Sequence, residues 1–526
     1  MSLEGTVLIL QSIMRQAAML QSGGVADVLT QLAESMQFVM DNVGPEVLIP
    51  VIIFVITVLF RIDVGKAARS SILIGVGFVG IFLIVGEFGS QVGPVADRMV
   101  RVTGVSLPAL DVGWPSAAAV AYGLAEVGVW IIPVFVVVNL VLFYLGFTYT
   151  LMVDIWNFWH FAFIGGFLFF STDSVAYAFT GAVVFGVLNL IIADWFQPGI
   201  EEEYDVPGIS TPTAASAISA AFGLPIYEVV KRIPGLGSFD ADPDSIEEKL
   251  GVLGEQTFLG LVIGLALGIA ANVDRIATAD AWFQIVGAGI TFAAVMYLLP
   301  EMVSILMEGL TPLAESIRDT MTERFDGRDF VIGLDSAILI GHPSAIAAGL
   351  LTIPILIVMM LALPGTEMLW GVGFAALPFF YCMMVPYTDG DVVDMVIVGT
   401  LLMIPYNYIA TWAAPTFTEA ARAANFPLEG ADLIVSWVGP GYPTTFIWSY
   451  PVMPVGVALG VLLTLSVWAA LRLWPKKMYM IAGASEEAAE RAIRMRHIDS
   501  GTPIPGNFGT IDEEQYLQAT SAEEAD

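Results

Sequence analysis

Residues 330–343 read Phe-Val-Ile-Gly-Leu-Asp-Ser-Ala-Ile-Leu-Ile-Gly-His-Pro, which sets Asp335 and His342 inside a run otherwise made for hydrocarbon. An ionisable side chain at mid-bilayer costs about 2.5–3.5 kcal/mol on insertion scales, so it is kept where it faces a polar cavity, a partner or a substrate. On a continuous helix the two would stand about 10 Å apart on nearly one face, with room for a small polar molecule between them. Gly333, Gly341 and Pro343 instead predict a broken or re-entrant helix, an irregularity that membranes accept only against protein or water.

The same logic extends outward from this stretch. The 526 residues are 57% hydrophobic and 13% charged, about half the charged share of a soluble domain. Runs that span or nearly span a bilayer lie at 47–60, 71–86, 117–147, 158–194, 257–271, 281–306, 331–363, 367–386, 391–412 and 444–474. The expected class is therefore all-α: a polytopic, multi-pass membrane protein with about ten or eleven transmembrane or re-entrant helices. Residues 1–40 read as an amphipathic extension without a leader's cleavage site, 41–475 as the transmembrane domain, and 476–526 as an acidic cytoplasmic tail.

The net charge is −31, from 51 acidic residues against 20 Lys plus Arg, with the acids gathered at Glu201–Glu203, Asp240–Glu248 and Glu486–Asp526. Such an excess disfavours anionic partners and suits a surface bathed in concentrated salt. There is no basic patch interleaved with aromatics, so nucleic acid is not expected as a partner. Cys382, the single cysteine, lies in Phe-Phe-Tyr-Cys-Met-Met-Val-Pro and reads as an inert packed thiol. No His or Cys cluster has metal-ligand spacing, and neither a metal nor a cofactor is expected.

Gly75, Gly77 and Gly80 formally match a dinucleotide fingerprint, but an apolar helix surrounds them, so they read as small residues for close helix packing. Three landmarks then recur in order about 220 residues apart. Gly93-Pro94 precedes Asp111-Val112-Gly113-Trp114-Pro115 and a span with Pro133; Thr311-Pro312 precedes Ile332-Gly333-Leu334-Asp335-Ser336 and a span with Pro354. Duplication of this kind is common in transporters, which bind substrate where the copies meet, and it predicts an inverted repeat.

Within Asp154-Ile155-Trp156-Asn157-Phe158-Trp159-His160, the spacing i, i+3, i+6 puts Asp154, Asn157 and His160 in one helical sector flanked by tryptophans. That pattern fits either hydroxyl binding beside aromatic faces or an aromatic belt at the membrane boundary. Glu255, in Gly254-Glu255-Gln256, reads either as a charge at a helix start or as a cavity carboxylate.

The motifs at 111–115, 154–160, 309–312 (Gly-Leu-Thr-Pro) and 330–342 together resemble the galactitol-type IIC membrane component of the sugar phosphotransferase system, related to the ascorbate-type IIC, over about residues 40–475. The resemblance implies an elevator-type permease with a scaffold and a core domain, working as a homodimer in the cytoplasmic membrane. It implies translocation of a sugar alcohol coupled to phosphorylation, with IIB and IIA components as partners and the phosphoryl group carried by IIB and not by Cys382. Asp335 or Glu255 would accept the hydroxyl proton; Asp154, Asn157, His160, Gln256, Thr213 and His342 would orient the substrate, with Trp156 or Trp159 on its carbon face. The family pattern implies a histidine where Thr213 stands and a proline where Gln256 stands, which shifts substrate choice away from galactitol itself. Two other readings are an uncoupled or ion-coupled transporter of a polyol or related solute, and a membrane-embedded enzyme using Asp335 and His342.

Overall fold

The computed structural model describes residues 63–103, 107–124, 127–154 except 129, 156–233, 256–324, 331–424 except 371, 433–449 and 453–500, with the isolated positions 50, 54, 58 and 426. The amphipathic extension expected at 1–40, the acidic loop around 240–248 and the end of the tail lie outside these residues. The described residues are mostly helical, at 78%, with no closed sheet among them. Among the described residues four helices are long and apolar enough to cross a membrane: Val175–Tyr204, Pro343–Ala362, Val392–Ala423 and Val455–Leu473. Shorter apolar helices accompany them at Val134–Tyr144, Trp159–Thr172, Ala214–Val230 and Gly260–Ala271. The chain is an integral membrane protein of the expected helical class.

In order, the elements are α1 (Val64–Thr103), β1 (Ala109–Asp111), α2 (Gly113–Gly123), α3 (Ile131–Tyr144), β2 (Thr150–Met152), α4 (Trp159–Thr172), α5 (Val175–Tyr204), β3 (Ile209–Ser210) and α6 (Ala214–Val230). Then come α7 (Gln256–Ala271), α8 (Ala279–Arg324), β4 (Val331–Gly333), α9 (Pro343–Ala362), β5 (Met368–Leu369), α10 (Leu377–Tyr381), α11 (Val385–Thr388), α12 (Val392–Ala423) and β6 (Leu433–Val435). The chain closes with α13 (Pro443–Ser449), α14 (Met453–Leu473), α15 (Pro475–Ile481) and α16 (Glu486–Ser500). Among the described residues, the stretch 415–446 holds the end of α12, β6 and the turn into α13.

The six short strands are what the apolar pattern did not announce. They form two three-stranded parallel sheets, β5–β1–β6 and β2–β4–β3. Each sheet thus takes its central strand from one half of the chain and its two flanking strands from the other. Counted in chain order, β1, β2 and β3 match β4, β5 and β6, each offset by about 220 residues. A two-fold relation between duplicated halves produces this exchange, which gives the sequence duplication its structural counterpart.

Strands buried in a membrane protein must have every backbone group matched, including those on the sheet edges. Asn139 on α3 serves one edge: its Nδ2 donates to Thr150 O at 2.9 Å and its Oδ1 accepts from Met152 N at 2.9 Å. Thr418 on α12 serves another, where its Oγ1 accepts from Ile434 N at 3.0 Å.

From Val331 to Pro343 the run is therefore no continuous or merely broken helix. It is β4, a 3-10 turn at Ser336–Ile338 and then α9, which His342 and Pro343 open. Backbone bonds to β2 and β3 replace those a helix would have made. The small residues behave as expected: α1 packs along α8, with Gly80 against Met302, and a Cβ on Gly309 would stand 2.7 Å from Ser70 O.

Candidate functional site

The three strands of the second sheet run parallel, so their carboxyl ends open on one side, the position at which open α/β sheets bind ligands. Each strand delivers one polar residue just beyond that end. Asp154 follows β2, Thr213 follows β3 and Asp335 follows β4. Thr213 is the hub. Its Oγ1 accepts from Ser336 N at 2.9 Å and from Asn157 Nδ2 at 3.5 Å, and donates to Asp335 Oδ1 at 3.4 Å, which uses the hydroxyl's full capacity. Asn157 Nδ2 also donates to Asp154 Oδ2, and Asn157 reaches the Asp335 carboxylate.

Local chemistry fixes these positions. Asp335 caps the 3-10 turn by accepting from Ala337 N at 2.9 Å, and Asp154 Oδ1 accepts from Asn157 N at 3.4 Å across the turn Trp156–Phe158. Asp154, Asn157 and Thr213 are buried, whereas Asp335 is partly exposed and stands at the mouth of the group. Behind it, Ser336 Oγ pairs with Ser216 Oγ at 2.6 Å, and the buried Cys382 donates to Ser216 Oγ at 3.4 Å. In this network the carboxylates keep acceptor lone pairs that can receive the hydroxyls of a polyhydroxylated solute, and a carboxylate there can take a proton from an alcohol.

The remaining candidates lie elsewhere. His160 is buried, its ring against Trp159 at 3.7 Å between centroids and its Nδ1 3.2 Å from Tyr442 Oη. His342 caps α9, with Nδ1 accepting from Ser344 N at 3.2 Å and Nε2 3.4 Å from Glu203 Oε1. The structure thus brings Asp154, Asn157, Thr213 and Asp335 together, and gives both histidines other hydrogen-bond partners. Glu255 and the side chains of Gln256 and Trp156 lie outside the described residues.

The matching end of the other sheet is built differently. Asp111 Oδ1 accepts from Gly113 N at 3.1 Å and its Oδ2 from Gly373 N at 2.9 Å, while Trp437 Nε1 donates to Gly373 O at 2.8 Å. Trp370 and Trp437 are fully buried there, stacked 6.4 Å apart. The duplicated architecture therefore has one polar end and one filled with aromatic rings.

Sequence reasoning missed Ser216 and Ser336 behind the cluster, and the buried Asp194, which accepts from Thr148 Oγ1 at 2.7 Å and Thr150 Oγ1 at 2.8 Å at the root of β2. For Asp194 the signal available was the one that exposed Asp335, a charged residue at the end of an apolar run.

The family described as "PTS system sugar-specific permease component", EIIC-GAT, matches residues 38–432. A putative permease IIC component of Escherichia coli (strain K12) is 32% identical over 437 residues, covering 83% of this chain and 98% of the relative. The PTS system galactitol-specific EIIC component of the same strain is 30% identical over 415 residues, covering 79% of this chain and 90% of the relative.

Proposed function

Because this chain belongs to the EIIC-GAT family of sugar-specific permease components of the phosphotransferase system, we propose that Asp154, Asn157, Thr213 and Asp335 hold a sugar alcohol during its passage across the cytoplasmic membrane. The observation that carries the reading is the convergence of these four side chains at the carboxyl ends of three parallel strands. The galactitol-specific relative supports a polyol as the substrate class.

In this reading Asp335, at the mouth, accepts a hydroxyl of the bound polyol and takes its proton as a phosphoryl group arrives from a separate IIB chain, itself charged by IIA. Asn157 and Thr213 keep the Asp335 carboxylate aimed, and Asp154 orders Asn157. Glu255 is the alternative base, with Gln256, His160 and His342 in supporting roles. The two sheets divide the labour of an elevator: the polar sheet moves with the substrate in a core domain, and a second copy of the chain completes the scaffold as a homodimer. Thr213, where the family pattern implies histidine, fits a polyol whose hydroxyl pattern differs from that of galactitol.

The test is uptake of labelled hexitols and pentitols by vesicles holding this chain with IIA, IIB and a phosphoryl donor. The expected result is that at least one polyol enters and is recovered as its phosphate ester. Entry of unmodified polyol at the same rate without IIB would refute coupled transport.

A further inference from the structure

The amino-terminal ends of β2, β3 and β4 face away from the polar cluster, and a cavity of about 120 Å³ lies against them. Tyr149 and Gly208, which immediately precede β2 and β3, line it together with Val331, the first residue of β4. Its other walls are Gln197, Pro198 and Glu201 of α5 and one face of α16, including Arg491 and Arg496. At ~30 Å³ per water it holds about four waters, too much room for a packing defect.

The helix α16 does not float as a solvated tail. Ala488, Ala489, Ile493 and Arg496 are buried, and Arg496 reaches into the protein over the rings of Tyr149, at 4.8 Å, and Tyr479, at 4.9 Å. Its Nη1 donates to Asp194 O at 3.2 Å and to Tyr479 Oη, and its Nη2 to Gln197 Oε1 at 2.8 Å. A guanidinium has five N–H donors, so among the described residues the Nε–H and one Nη2–H have no protein acceptor, in a side chain that is 6% exposed. Arg496 lines the cavity, and spare N–H donors on a guanidinium are of the kind that grip an oxyanion. On the open side, among the described residues no carboxylate pairs with Arg491. The one acid in the lining, Glu201, already accepts through Oε2 from Gly208 N at 3.1 Å and from Gln197 Nε2.

We propose that this cavity binds a phosphate group, with Arg496 as the buried fork and Arg491 as the second cation at the entrance. The group arrives either as free phosphate or as the headgroup of an anionic membrane lipid. Glu201 weakens binding by its charge, which makes the site one of moderate affinity.

The experiment is thermal unfolding of the purified full chain in neutral detergent, followed by tryptophan fluorescence. One arm titrates inorganic phosphate against chloride of equal ionic strength; the other adds phosphatidylglycerol against phosphatidylcholine to the micelles. The wild type should gain a saturable rise in midpoint with one source, and that arm identifies the ligand. Arg491→Gln, which alters an exposed residue, should abolish the rise. Ala492→Phe should abolish it by filling the cavity, and Glu201→Gln should bring half-saturation to a lower concentration. No rise with either source, or an equal rise in Arg491→Gln, overturns the proposal.

Discussion

Replacing Asp335 by Asn and, separately, by Ala separates what its carboxylate does for the fold from what it does for transport. Asp335 Oδ1 caps the 3-10 turn through Ala337 N at 2.9 Å and receives the Thr213 hydroxyl at 3.4 Å. Asn keeps an oxygen at that position, so both bonds persist, and the folded chain should lose less than about 1 kcal/mol. Ala removes the cap on Ala337 N, about 0.5–2 kcal/mol, and leaves the Thr213 hydroxyl proton unmatched, about 1–3 kcal/mol where water cannot reach it. Transport responds to charge instead. If Asp335 is the base, loss of proton transfer lowers the rate by about 10²–10⁴ in both variants. The assay pairs thermal midpoints of purified protein with initial rates of phosphorylation-coupled polyol uptake in vesicles of matched protein content. The expected pattern is a stable but inactive Asn variant beside a destabilised, inactive Ala variant. Uptake by Asp335→Asn at the wild-type rate would remove Asp335 from the mechanism, and equal destabilisation of both would remove the capping argument.

Three further outcomes follow from the packing. Trp437→Ala should cost about 3–5 kcal/mol, because it empties a fully buried ring position and orphans Gly373 O; a midpoint within error of wild type would contradict the aromatic filling of that sheet end. Gly309→Leu should force α1 from α8 and cost at least about 1–3 kcal/mol, whereas Gly287→Ala, with nothing within 4 Å of the added carbon, should be neutral or mildly stabilising; yield and thermal midpoint in detergent read both. Lys476 donates to Glu486 at 2.5 Å and to Glu490 at 2.6 Å, which holds the Glu486 carboxyl below its ordinary 4.5 and the Lys476 amine above its ordinary 10.5. The depressed acid contributes above 4.5 and fails as pH falls through its folded value; the raised amine contributes below 10.5 and fails as pH rises through its own. Amide exchange in α16 should therefore be slowest across the plateau between, and a monotonic change with pH after correction for intrinsic exchange would contradict the pair.

Asp335 was legible because hydrocarbon makes it conspicuous, Asp154 and Asn157 because of their spacing beside tryptophans, and Thr213 through the family pattern, and all four meet. Their meeting place was not. Thr150-Leu151-Met152 and Val331-Ile332-Gly333 are too short for period two to emerge from period 3.6, so strands buried on both faces read as more helix. The sector drawn through Asp154, Asn157 and His160 assumed one continuous helix. The 3-10 turn at Trp156–Phe158 interrupts it, and His160 meets Tyr442 instead. The 220-residue echo was visible in the motifs, yet the exchange of strands leaves no local trace, since Ala109 pairs with Met368 and Leu433. Docking of the charged α16 escaped notice for a similar reason, as the apolar face formed by Ala488, Ala489 and Ile493 is narrow.

The exchanged strands also constrain how the molecule is made. When a ribosome delivers Ala109, the segments that will flank it are still unwritten, the later of them some 320 residues downstream. At about 5–20 residues per second that is a wait of roughly 15–65 s, during which a strand with bare amides must be sheltered by the insertion machinery or by neighbouring helices. Premature termination before Leu433 would leave one sheet unfinished, so such fragments should be degraded and not accumulate as half-permeases.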